Sequence, residues 1–142
     1  KVWSYVTHNG FAVPFQMFLL ALIPIQFLYS LNIVSTSALL GVAFGIALQI
    51  DTAKGTQLII SSIPHTIFEI FAYCILAAVL FELNQAIRGK LKNLWTKEKK
   101  EFSLIEKFLK TISIYVVYVI PFIIAAAFLE TYLADLILQT LQ

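Results

Sequence analysis

Apolar residues gather along the chain in four long runs, residues 10–31, 32–50, 63–87 and 112–133, separated by shorter polar stretches. Each run is close to the roughly 20 residues that a helix rising about 1.5 Å per residue needs to cross about 30 Å of hydrocarbon. None shows the every-second-residue alternation of a barrel wall, and a backbone in lipid must satisfy its own hydrogen bonds, so the pattern predicts helices. The expected fold is all-α: a polytopic transmembrane helical bundle of four membrane helices, forming a single integral membrane domain over residues 1–142. Pro14 and Pro24 in the first run and Pro121 in the last each remove a backbone donor and predict bends. Gln16 and Gln26 are expected to face the bundle, because an amide in hydrocarbon needs a partner.

Composition points the same way. The chain is 60% hydrophobic and 13% charged, with a mean hydropathy of +0.87, whereas soluble domains are about half apolar and a quarter charged. No charged head, short apolar core and small-residue cleavage site mark a secretory signal near the start. The chain opens on Lys1, and its single methionine is Met17, which predicts a natural start upstream with a fifth membrane helix ahead of residue 1. The lone Cys74 has no partner for an internal disulfide and reads as a small hydrophobe.

Charge sets the expected orientation. Of the ten Lys and Arg residues, Arg88, Lys90, Lys92, Lys97, Lys99, Lys100, Lys107 and Lys110 all lie between the third and fourth runs. Short loops rich in Lys and Arg stay in the cytoplasm. That places the loop 88–111 inside, the 51–62 connection outside, the turn near Asn32 inside and Lys1 outside. Within the loop, Leu91, Leu94 and Trp95 share one helical face, and Phe102, Ile105 and Leu109 another, which predicts two short amphipathic helices on the inner surface. Arg88, Lys90, Lys92, Trp95, Lys97, Lys99 and Lys100 would contact anionic lipid or a docked partner such as an ATPase subunit. Glu98, Glu101 and Glu106 interrupt the basic run and argue against nucleic acid.

Two further patterns single out residues inside the apolar runs. Ser37, Gly41 and Gly45 recur every fourth residue in the second run, a small face that lets another backbone approach closely. It is expected to be buried within the chain, with packing against a second copy as the alternative. In the third run Pro64 suits the first turn of a helix, which puts His65 and Glu69 on one face just below the outer surface. Glu130 falls in the same leaflet, with His8, Asp51 and Asp135 nearer to water. Buried ionisable groups usually face the bundle interior. Three readings of His65, Glu69 and Glu130 compete: a structural clasp between the last two helices, a solvated cavity for a proton, ion or small ligand, and a three-ligand zinc centre. No H-E-x-x-H helix, C-x-x-C pair or G-x-S-x-G turn is present to support the last.

"PHTIFE" opening a membrane helix, the Gly41/Gly45 helix before it, the basic loop after it and "AAAFLE" late in the final run together resemble the stage II sporulation protein M family, over roughly residues 9–135. Its marks fall on Pro64, His65, Glu69, Ala126, Ala127 and Glu130, with Thr66 standing where such proteins commonly have glycine. The resemblance implies a multi-pass bacterial cytoplasmic membrane protein of about five helices. It further implies a non-enzymatic scaffold or permease-like subunit, as in the wall-remodelling machine of sporulation, or a transport component beside an ATPase, exporting or conferring resistance to a peptide or small molecule. A membrane-embedded metalloenzyme is the weaker alternative. No cofactor is expected, and other membrane subunits, or further copies of the chain, are the expected partners.

Overall fold

The structure, a computed structural model, describes residues 1–97, 101 and 103–141. Among these residues it is helical, with no strand. The first helical run comprises α1 (Val2–Tyr5), a π-helical segment (Val6–Ala12) and α2 (Val13–Leu22). Pro14 explains the irregularity. Lacking an N–H, it cannot donate to Asn9 or Gly10, its acceptors in a five- or four-residue register. Phenol hydroxyls reach both carbonyls: Tyr73 donates to Asn9 at 3.0 Å, and Tyr115 donates to Gly10. Pro121 repeats the device, following a second π segment (Tyr115–Val119) into α6 (Ile120–Phe128).

The first expected helix, 10–31, is not one element. α2 stops at Leu22 because Ile23 precedes Pro24, whose ring disfavours helical backbone in the residue before it; Ile23 has ψ 131°. Pro24 therefore lies in a break rather than a bend. Phe27 turns the chain with φ 64° and stacks on Phe81, ring centroids 5.9 Å apart. A short 3₁₀ turn (Leu28–Ser30) then leads into α3 (Leu31–Ile50). The reversal thus sits at residues 23–27, not at Asn32.

The expected external loop 51–62 is helix. α4 runs from Thr52 to Asn93, 42 residues or about 63 Å, and Asp51 alone separates it from α3. The Asp51 carboxylate accepts the Lys54 N–H at 3.1 Å and caps the new helix. A Cβ on Gly55 would lie 2.7 Å from the Leu48 nitrogen, so only glycine permits this hairpin. Pro64 accordingly lies well inside α4, not at its first turn.

Ser103 caps α5 (Leu104–Ile114) by accepting from the Glu106 N–H. Helix continues through α6, a third π segment (Leu129–Leu133) and α7 (Ala134–Leu141). The stretches expected as separate interfacial helices are instead the end of α4, residues 88–93, and the start of the last run. Glu98, Lys99, Lys100 and Phe102 lie outside the described residues.

α4 is the axis of the bundle. Residue numbers rise together across the pairs Tyr5–Glu69, Asn9–Tyr73 and Ala21–Asn84, so the run over 2–22 lies parallel to α4. The last run is antiparallel to it, pairing Lys1 with Glu130 and Phe18 with Phe108. Met17, Ala21, Tyr29, Tyr73, Leu76, Leu80, Val119 and Ile123 fill the core where these elements meet. Among the described residues three helical stretches are long and apolar enough to cross a membrane, Leu28–Ile50, Thr52–Asn93 and Leu104–Leu141. The run over 2–22 falls outside that set, diluted by Ser4, Thr7, His8, Asn9 and Gln16.

Candidate functional site

His65 and Glu69 share one face of α4, as their spacing of four requires. That face meets the first helical run, which supplies the carboxylate's partner: the Tyr5 hydroxyl donates to Glu69 Oε2 at 2.5 Å. The Tyr5 ring stands edge-on to the His65 imidazole, centroids 6.2 Å apart and planes at 88°. Glu130 comes from the π segment of the last run, and its Oε1 lies 3.7 Å from the Lys1 Nζ. Both Glu69 and Glu130 lie within electrostatic reach of His65. The three sequence-predicted residues are thus gathered from two elements, but through the N-terminal run rather than by direct hydrogen bonds between α4 and the last helix. His65 and Glu69 sit about 20 and 26 Å along α4 from Thr52, deeper than a helix beginning at Pro64 would put them.

Three polar atoms of this region are buried without a hydrogen-bond partner: His65 Nδ1, Glu130 Oε2 and Thr131 Oγ1. An unmatched polar atom in a low-dielectric setting is costly, so the region is poised to take a proton, a water or a cationic group. Among the described residues no group of three or more His, Cys, Asp or Glu is arranged to hold a metal ion.

A second polar centre lies at the other end of the core. Asn84 is fully buried and donates to the carbonyls of Ala21 and Ile23, both at 2.8 Å. These are the carbonyls freed where α2 breaks. Arg88 Nε donates to Asn84 Oδ1 at 3.0 Å, and Arg88 Nη1 to Gln26 Oε1 at 3.3 Å. Arg88, expected to meet a partner or lipid, is therefore drawn into the fold. Gln26 is exposed rather than bundle-facing, as is Gln16, whose Oε1 accepts from Asn32 at 3.4 Å. Lys107 and Lys110 both bind Glu82, at 3.0 and 2.9 Å. Lys90, Lys92, Lys97 and Trp95 remain exposed.

The small face of α3 is not buried within the chain. Ser37 and Gly41 are exposed and Gly45 is half-buried, and a Cβ at Gly41 or Gly45 would meet nothing within 4 Å. α3 and α4 meet backbone to backbone at Gly55, and farther along them residues of both line a common crevice. The expectation of internal packing fails because the glycine that brings α3 and α4 together belongs to α4. Cys74 is also exposed.

Tyr5, Asn84 and Gly55 escaped the sequence reading. Tyr5 carries no local signal, since its role depends on a pairing 64 residues away. Asn84 could have been flagged, as an amide among apolar residues requires partners. Gly55, four residues after the capping Asp51, marks a close approach only once α4 is known to start at Thr52.

A family model described as Stage II sporulation protein M matches residues 1–135. Comparison with curated proteins and with solved structures gives no significant match.

Proposed function

Because the chain belongs to the stage II sporulation protein M family, we propose that it acts as a non-enzymatic subunit of a larger assembly in the bacterial cytoplasmic membrane, a scaffold or permease-like component. One observation carries this reading. α3 is a membrane-length helix with none of its apolar window buried, and its glycine face is open. In lipid there is little hydrophobic drive between helices, so association rests on close backbone packing at small residues. Gly41 and Gly45 supply that packing surface, and among the described residues nothing packs within 4 Å of where their Cβ atoms would lie. In this reading the run over 2–22 serves as the fourth membrane helix, joined to α4 through Tyr5 and the Asn9 carbonyl.

The test is the size of the assembly. In a mild detergent extract the wild-type protein is expected to migrate as a complex larger than one chain, and Gly41→Leu/Gly45→Leu to shift it to the single-chain position with unchanged thermal unfolding. A wild-type chain that migrates alone, or a double variant that assembles normally, contradicts the proposal.

In this reading the basic segment 88–111 faces the cytoplasm. Lys90, Lys92 and Lys97 are free of Glu82, unlike Lys107 and Lys110, which favours them as a docking surface for an ATP-hydrolysing partner if the assembly is a transporter. A Lys97→Cys variant is expected to react with an impermeant maleimide only after cells are opened. Equal labelling of intact cells reverses the orientation.

A further inference from the structure

Residues of α3 and α4 line a crevice of about 320 Å³, within the size range of small-molecule sites. Its polar lining is Thr36 and Ser37 from α3 and His65, Thr66, Glu69 and Tyr73 from α4. The rest is apolar, including Ile33, Leu40 and Ile70. Two features give the crevice a chemical preference. Among the described residues Glu69 forms no ion pair with a Lys or Arg; its hydrogen bond comes from the neutral Tyr5 hydroxyl. Buried beside it, His65 Nδ1 has no partner. An uncompensated carboxylate at membrane depth is expensive, and a cation placed beside it recovers Coulomb energy in a low dielectric.

We propose that the α3–α4 crevice is a binding site for a small organic cation, a primary alkylammonium whose charged head sits at Glu69 among the threonine, serine and tyrosine hydroxyls and whose chain lies along Ile33, Leu40 and Ile70. The ammonium has three donors to place, and Glu69 with the surrounding hydroxyl oxygens offers acceptors on several sides. A metal ion fits less well, because the crevice presents one carboxylate and a largely apolar wall. An anion is disfavoured outright. The same alkylammonium chemistry occurs in free amines and in the ethanolamine headgroup of a lipid. The position of Glu69, about 26 Å along α4 from Thr52, favours the free amine.

The probe is n-butylammonium, titrated into the purified chain in a nonionic detergent while thermal unfolding is followed. n-Butanol and n-butanesulfonate control for chain and charge, and short-chain phosphatidylethanolamine and phosphatidylglycerol test the lipid source. A saturable rise in Tm with n-butylammonium, absent with both controls and absent in Glu69→Gln, is the expected result. Ser37→Leu, which fills the crevice from an exposed position on α3, is expected to abolish the rise while leaving the unliganded Tm unchanged. A larger rise with phosphatidylethanolamine than with n-butylammonium, also lost in Ser37→Leu, assigns the same site to a lipid headgroup. The proposal is overturned by no saturable shift from either amine, by equal shifts with n-butanol, or by a shift that survives in both variants. None of these readouts depends on assembly size, so this site and the proposed subunit role stand or fall separately.

Discussion

Asn84→Leu is expected to lower the stability of the isolated chain by about 2–4 kcal/mol, the combined effect of two lost carbonyl partners and a disturbed Arg88. The side chain is fully buried, and its amide serves the Ala21 and Ile23 carbonyls where α2 ends. Leucine keeps the branched shape and is no smaller, so the loss does not report a cavity. Unlike the solvent-exposed end of a soluble helix, these groups have few alternatives. Measured values for interhelical hydrogen bonds in membranes are often nearer 1 kcal/mol each, since the unfolded chain in lipid finds other partners, and that sets the lower bound. Arg88→Gln keeps Asn84 and should cost less than half as much. Reversible unfolding in mixed micelles checks both variants, and equal effects would place the weight on Arg88 instead.

The second large effect concerns Gly55. Alanine at an ordinary helix position gains about 1 kcal/mol over glycine. Here the added Cβ would lie 2.7–2.8 Å from backbone atoms of Ala47 and Leu48, which cannot rotate away. Overpacking of this kind costs about 1–3 kcal/mol or more, so Gly55→Ala should destabilise by about 1–3 kcal/mol despite its better helix propensity, and Gly55→Leu should prevent the α3–α4 hairpin from closing. Gly41→Ala is the internal comparison. With nothing within 4 Å, only the propensity gain operates, and the isolated chain should be as stable as the wild type or slightly more so. Thermal unfolding of the two alanine variants side by side decides the point. Gly55→Ala matching Gly41→Ala would mean that the hairpin is looser than described.

The class of fold was legible from the apolar runs because length and hydropathy act locally. Helix ends were less so. Asp51 is a strong capping residue, but the polar residues that follow it, Thr56, Gln57, Ser61 and Ser62, lowered the hydropathy enough for Pro64 to look like the better start. Residues 10–31 read as one helix because the break at Ile23 depends on a single proline effect inside an apolar stretch. The gathering of His65, Glu69 and Glu130 could be anticipated from depth and spacing. The agent that joins them could not, since Tyr5 and Lys1 reach the cluster only when the run over 2–22 lies parallel to α4. The fate of the cations shows the same limit: Arg88, Lys107 and Lys110 look like their neighbours in sequence, and only tertiary structure shows that Gln26, Asn84 and Glu82 engage them.

The central claim is that the open face of α3 meets another membrane helix in the cell. Cysteine scanning of α3 in native membranes, with Cys74 replaced by serine, tests it most directly. With a lipid-soluble maleimide, positions 41 and 45 are predicted to react at least tenfold more slowly than positions 39, 42 and 46, and to become reactive when the assembly is dissolved in a harsh detergent. Equal reactivity around the helix in the intact membrane would mean that lipid alone covers this face, and the proposed role would be wrong.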